Sequence, residues 1–425
     1  MKLHEIRDPI YGFISINAWE RDIINHRVFQ RLRDIRQLAL TNLVYPGAMH
    51  TRFEHSIGVM HLASLIYQRI VNKDSAILKE LFSYNDEGLA RDHALVRLAA
   101  LLHDVGHAPF SHASEEVMPI NNSTGLHLSH EDYSSAMIKN DLIDIIENHP
   151  VNKSNYNITA NEVAGLIQGD PTALGKRLFW RVLLSSQLDA DRGDYLLRDS
   201  LHAGVKYGVY DQARLIIAMA LSRDPETGDI ILGIDDDSWH VAESLVVARY
   251  LMFTQVYFHK TRRAYDYHLL EIIKNYLKDN KYNSTYPGLD KLREYIAIDD
   301  IDILKYIKEH TGDEHCAAVL NRKHIRSVYS TSERPDISEE VGVAKFVEKL
   351  NNKGIWCYED LSDKTWYKLK KDRQENNEIM IIDEKKQANP LSSQLYSRLV
   401  KNIGDQKKIR VYVKPEDKNS ATAEI

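Results

Sequence analysis

Apolar residues recur at helical spacing through the first two thirds of this 425-residue chain, and that period limits the fold more than any other sequence feature. In "NAWERDIINHRVFQRLRDIRQLAL" the positions are taken by Ile23, Ile24, Phe29, Leu32, Ile35 and Leu38, with Arg and Asp between them. Pro46-Gly47 then breaks the pattern. "RFEHSIGVMHLASLIYQRIV" and "DHALVRLAALLHD" are predicted as the next two helices. The second should open near a cap at Asp92 and stop before Gly106 and Pro109. "SHEDYSSAMIKN" reads as a helix capped by Ser129, and "HPVNKSNYNITANE" as a polar surface loop. "RLFWRVLLSSQLDADRGDYLLRDSLHAG" is a further helical region, and the long run from His240 to Leu277 is one helix or two. Pro225 and Gly228 mark the turn of a hairpin that contains "IILGI". After about residue 280 Lys, Asp and Asn increase and the helical signal weakens, with β signals in "NNEIMIID" and "KKIRVYVKP". The tail "EDKNSATAEI" is predicted to fray. The expected fold is mainly α: a helical bundle over 1–280 with a small β-hairpin, and a mixed α/β C-terminal lobe over 281–425.

The net charge of -6 announces no global basic field, so nucleic acid is not expected as the main ligand. Two cysteines, Cys316 and Cys357, lie far apart, which fits a reducing compartment and leaves no cysteine metal site. "MKLHEIRDPIYG" has no apolar core of a secretory signal, and "VRLAALLHDVG" is too short and polar to span a bilayer. A cytoplasmic protein without a membrane segment is expected.

"ALLHDVGHAPFSH" carries the chemistry. An apolar helix ends abruptly in His103-Asp104, and His107 and His112 follow. His55 in "RFEHS" and Asp191 in "LDADRGDY" complete a set of imidazoles and carboxylates suited to a divalent first-row metal. Adjacent residues on a helix diverge by about 100°, so an ion touching both His103 and Asp104 must lie between helices. Any one of the 19 histidines taken alone is better read as a surface or core residue. The combination and its order are specific.

On these blocks the chain resembles the HD-domain phosphohydrolases, and within them the deoxynucleoside-triphosphate (dNTP) triphosphohydrolases. It is similar to the catalytic core of the vertebrate SAM-and-HD-domain enzyme, with no SAM domain. "DPIYG", "FQRLRDIRQL", "VYPGAMHTRFEHSIGVMHLA", "LLHDVGHAPFSH", "SHED" and "DADRGDYLLRDSLHAG" carry the likeness over roughly residues 4–270. The resemblance implies metal ligands at His55, His103, Asp104 and Asp191, and catalytic groups at His107, His112, Glu115 and His130. Glu115 departs from the Asp of the vertebrate enzyme by one methylene. The ion implied is divalent: Mn, Fe, Ni, Zn or Mg.

The resemblance further implies sugar contacts from Gln37 and Asp199, with Leu38 and Tyr195 packed on sugar and base. A tyrosine ring against C2′ leaves no room for a ribose hydroxyl. Arg52 and Arg192 flank the metal set and suit phosphate oxygens. His259 and Lys260, in the strip "YFHKTRRAYDYH", are assigned to the triphosphate tail. Taken alone, Leu38 is ordinary core, Asp199 a partner of Arg198 or Arg192, and the strip an exposed helix face. The reaction implied is hydrolysis of dNTP to deoxynucleoside and triphosphate, by metal-hydroxide attack on the α-phosphorus. The alternatives are another HD phosphohydrolase (a 5′-nucleotidase or a signalling-nucleotide hydrolase), or a nucleotide- or nucleic-acid-binding protein with a vestigial site. The family also implies a homo-oligomer, tetrameric or larger. Gln30 and Arg33 match two positions of the vertebrate activator site, but Asn25 replaces its guanine-reading Asp, leaving a nucleotide activator open.

Overall fold

The computed structural model describes residues 3–224, 227–364, 378–393, 395–403 and 406–425. A hairpin of β1 (His4–Asp8) and β2 (Gly12–Ile16) opens the chain, with His4 opposite Ile16. The helices that follow pack into the bundle, the largest being Arg52–Phe82, Asp86–Leu102, His130–Asn140, Ala160–Gln168 and Ala190–Ala203. Then come β3 (Met219–Arg223) and β4 (Ile230–Asp235), the predicted hairpin. Its Pro225 lies outside the described residues, while Gly228 takes a positive φ of 75°. Helices Trp239–Met252 and Lys260–Asp279 are joined by one π turn, Phe253–Tyr257. The C-terminal part adds β5 (Arg326–Ser330), helix Ile337–Asn352, β6 (Cys357–Lys364), β7 (Met380–Ile382), β8 (Ala388–Pro390) and β9 (Gln406–Val413). One sheet has the order β3-β4-β7-β8 and another β5-β9-β6. The architecture is mainly α, with a small hairpin and a mixed C-terminal lobe, as expected. No helix among the described residues is long and apolar enough to cross a membrane.

Four local expectations are corrected. The first helical run breaks at His26, whose side chain accepts from Val28 N–H; short turns replace the helix as far as Asp34. Asp92 is no cap. The helix begins at Asp86 behind Asn85, and Asp92 is buried inside it, accepting the Trp180 indole N–H at 2.8 Å. The Asn-rich "loop" contains a helix, Pro150–Asn155. Asn152 organises it by donating to Ile146 O and Ile158 O and accepting from Ile158 N–H. The tail is ordered: Ala421 packs with Val343, Leu350 and Val411, and Glu424 pairs with Lys349 and Lys353.

The end of helix 86–102 positions the site. Ser134 on helix 130–140 donates to His103 O at 2.8 Å and accepts from Gly106 N–H at 3.0 Å, so groups a helix end leaves unpaired are satisfied. A Cβ on Gly106 would stand 2.2 Å from His130 O and 2.3 Å from Ser134 N. Backbone cannot retreat as a flexible side chain can. Gly106→Ala should therefore cost about 1–3 kcal/mol, the usual penalty of overpacking; a urea midpoint equal to that of the parent would refute the close approach.

Candidate metal centre and active site

His55 lies in the first turn of helix 52–82, His103 caps the C-terminus of helix 86–102, Asp104 follows it, and Asp191 opens helix 190–203. The adjacent pair thus sits where the helix ends, and the turn there frees the two side chains to converge. Ligand atoms of His55, His103 and Asp104 lie within 4.8 Å of one another. Asp191 Oδ1 is 3.0 Å from His55 Nε2 and 3.8 Å from His103 Nε2. His103 Nδ1 donates to Ala100 O at 2.8 Å, and His55 Nδ1 donates to Asp194 Oδ2 at 2.8 Å. Each Nε2 faces the space between, where it would offer a lone pair once its proton gave way to an ion. His103 Nε2 is buried and makes no hydrogen bond. Burial opposes charge on His55, yet Asp191 and Asp194 raise its imidazole to about 10. The surroundings therefore stabilise positive charge among these four side chains. The orphaned ring nitrogen of His103, and a cation at His55 held between carboxylates, fit a divalent ion.

Asp194 and Arg198 are outer members that sequence reasoning did not assign to the metal. Arg198 Nε and Nη2 donate to the two Asp194 oxygens at 2.8 and 2.9 Å, with both side chains buried. Arg198 Nη1 is 3.0 Å from Asp8 Oδ2 on β1. Asp194 is visible in retrospect as the last acid of "DADRGD". Arg52 donates to Asp104 and, at 2.7 Å, to Ser111 Oγ. Burial disfavours the Asp104 anion, but Arg52 and His103 hold its carboxyl well below the usual range.

His107, His112, Glu115 and His130 form a second group with ligand atoms within 4.8 Å of one another. His107 stacks on His130, 3.8 Å between ring centroids, and its Nε2 is 3.3 Å from Asp104 Oδ1. Glu115 Oε1 is 2.6 Å from His112 Nδ1 and 3.7 Å from His130 Nδ1. Burial, Arg52 and His130 push His107 far down, so it is neutral. Burial acts the same way on His130, but the Glu115 carboxylate beside it raises it. Glu115 is held as an anion by the imidazoles of His112 and His130, against its own burial. The first group holds a buried ring nitrogen without a hydrogen-bond partner, His103 Nε2, and is the better metal cradle.

A cavity of ≈ 400 Å³ gathers Gln37, Leu38, Arg52, Arg192, Tyr195 and Asp199 beside Asp191 and His112. Arg249, Arg262, Arg263 and Tyr257 also line it; Arg262 and Arg263 stand in the strip offered for the triphosphate tail, though only His259 and Lys260 were assigned from it, and Arg249 was not singled out from sequence. Asp199 pairs with neither Arg198 nor Arg192; it takes His50 Nε2 at 2.7 Å and the Tyr257 hydroxyl at 2.5 Å. Gln37 Oε1 is buried without a donor. His259 and Lys260 do not line this cavity: they lie in a separate cleft, because His259 turns back to cap helix 260–279 at Thr261 N–H. The arginines of the same strip reach the cavity instead. Two positions distant in sequence from the His103–His112 stretch support the floor. Asp300 accepts from Phe110 N–H at 2.7 Å and Arg36 N–H at 2.9 Å, holding the left-handed Phe110-Ser111 pair, and Arg31 donates to His107 O at 2.7 Å. Arg31 lies in the quoted block "FQRLRDIRQL" but was given no role there, and no local sequence pattern marks Asp300.

The HD domain profile matches residues 52–179, and the profile of the HD associated region matches 210–349. YwfO of Bacillus subtilis is 33% identical over 337 residues, covering 75% of this chain and 70% of YwfO. The chain is an HD-domain protein. It belongs to the metal-dependent phosphohydrolase family that this domain defines. A Dictyostelium discoideum relative, a deoxynucleoside triphosphate triphosphohydrolase SAMHD1 homolog, is 31% identical over 299 residues, covering 69% of this chain. The match spans only 53% of that relative's own length. Among solved structures, a hypothetical protein from Aquifex aeolicus superposes with a TM-score of 0.77 at 27% identity, covering all of both chains. A phosphohydrolase from Bacteroides thetaiotaomicron superposes with 0.71 at 26%, covering 97% of this chain and 100% of its own.

Two substitutions test the cradle. Asp191→Ala should abolish bound metal in a folded protein. Asp194→Asn, at the residue that holds the outer nitrogen of His55 and also pairs with Arg198, should weaken metal binding about 10- to 100-fold in a protein that still folds. Elemental analysis of the purified variants, checked by circular dichroism, reads both; full metal content in either overturns its assignment.

Proposed function

We propose that this protein hydrolyses dNTPs to deoxynucleoside and triphosphate with a divalent ion. The observation that carries the reading is the single cavity: the carboxylate of Asp191 and five arginines (Arg52, Arg192, Arg249, Arg262 and Arg263) face one space large enough for a nucleotide. A divalent ion in the His55, His103, Asp104 and Asp191 cradle supplies water activation and part of the charge neutralisation. The arginines bind and orient the phosphate chain. Water oxygen bonds to the α-phosphorus, the bond from that phosphorus to the sugar 5′-oxygen breaks, and the leaving oxygen takes a proton. His112 and His130, joined through Glu115, are the proton carriers, while neutral His107 stacks against His130 and holds it in place. The unpaired Gln37 Oε1 is suited to accept from a sugar hydroxyl. Tyr195 packs on the sugar where a 2′-hydroxyl would stand. Asp199 also faces the sugar, its oxygens steadied by His50 and Tyr257.

Incubation with the four dNTPs and four rNTPs, singly and mixed, with Mn or Mg, tests the reaction by product chromatography. Release of triphosphate from dNTP is expected. Orthophosphate from a nucleoside monophosphate would instead indicate a 5′-nucleotidase. His112→Ala and His130→Ala should each lower kcat by about 100-fold or more with metal retained, the scale of general acid–base catalysis; near-normal rates return both to structural roles. Tyr195→Ala should narrow the preference for dNTP over rNTP, and an unchanged ratio removes Tyr195 from the sugar pocket. The reading includes a homo-oligomer, tetrameric or larger, which light scattering with and without dNTP measures; a fully active monomer would exclude it.

A further inference from the structure

The cleft that holds His259 and Lys260 has a volume of ≈ 430 Å³ and a chemistry of its own. Lys260, Lys408 and Arg410 line it with a single acid, Glu333. Glu333 already accepts the Tyr250 hydroxyl at 2.7 Å. Among the described residues neither Lys260 nor Lys408 has an acidic partner. Elsewhere on this chain lysines do find acids: Lys407, next to Lys408, pairs with Glu340, and Lys414 lies 3.3 Å from Glu314. Arg410 is buried, and its guanidinium is fixed by donating to Phe258 O at 2.8 Å and Ser362 Oγ at 3.2 Å, with the Asp360 carboxylate 3.7 Å from its Nη1. Phe258 and Ser362 also line the catalytic cavity, so this guanidinium stands in the wall between the two spaces. Ser327, Ser330 and Thr254 add hydroxyls to the cleft.

We propose that this cleft is a second anion site that takes a polyphosphate. Two lysines without acids are strongly hydrated point charges, suited to several oxygens of a flexible chain. A fixed guanidinium behind them sets one end of the ligand, and hydroxyls complete the oxygen contacts. Inorganic triphosphate and the phosphate tail of a nucleotide share this chemistry. The assignment concerns binding alone, so it stands or falls separately from the proposed reaction.

Titration calorimetry with inorganic tripolyphosphate and with one dNTP tests it on full-length Asp191→Ala, in which turnover is removed. Two classes of site are expected. In Asp191→Ala carrying Lys260→Ala and Lys408→Ala, one class should weaken by about tenfold or more while the other persists. Binding that is unchanged in the lysine variant, whether the parent shows one class or two, overturns the proposal; a single class that the lysine variant weakens keeps the cleft and removes the catalytic cavity as a phosphate site. Equal affinity for both probes identifies the phosphate chain as what is read; tighter dNTP binding identifies a nucleotide. Independently of any variant, saturating tripolyphosphate should protect Lys260 and Lys408 from amine acylation, read by peptide mass spectrometry. Unprotected labelling of both lysines overturns the site.

Discussion

The buried Arg198–Asp194 pair is the interaction on which the site depends. Both side chains lie out of water, at 0% exposure, so their charges are supported only by each other and by near neighbours. Removing one member of such a pair typically costs about 3–5 kcal/mol, because the other is left charged and unpaired. The pair reaches three elements. Asp194 fixes the His55 ring on helix 52–82, Asp8 approaches Arg198 from β1, and both members ride on helix 190–203. Gly58 is required by the same contact: a Cβ there would stand 2.1 Å from Asp194 Oδ1 and 2.3 Å from Arg198 Nη2. The N-terminal hairpin is thereby part of the support for the metal cradle, although it contributes no ligand.

Charge is sorted along the active-site region. Carboxylates gather where Asp104, Asp191 and Asp194 surround His55, and guanidinium groups gather across the cavity at Arg249, Arg262 and Arg263. A ligand that carries several negative charges and bridges to a cation satisfies both ends. The arginines are held before any ligand arrives: Arg263 grips Asp360 at 3.0 Å, and Arg249 donates to Gln187 at 2.8 Å. Such prior ordering lowers the entropy cost of binding.

Much of this was legible from the amino acids. The ligand candidates sit within named motifs on helices whose period is plain, so local pattern and tertiary position agree. What was not legible depends on distant partners. Asp92 looked like a cap because Asp favours that position, and only the packing of Trp180 shows why it is inside a helix. His259 and Lys260 were separated from the cavity by one π turn and one cap, a geometry no residue count reveals. Asp300 supports the loop before His112 from the far side of the chain, and sequence spacing carries no record of such an anchor.

The parallel pairing of β4 with β7, Gly233 opposite Met380, has a consequence for synthesis. A ribosome finishes every residue from His55 to Asp191 long before it reaches Met380. The nascent chain can gather its bundle helices early, since they all precede β7. Until β7 emerges, one edge of β4 has open N–H and C=O groups, a state that invites mispairing with another chain. Translation speed through the C-terminal part therefore governs how long that edge is uncovered, and a slow stretch of codons there would lengthen the window for aggregation without altering the finished fold.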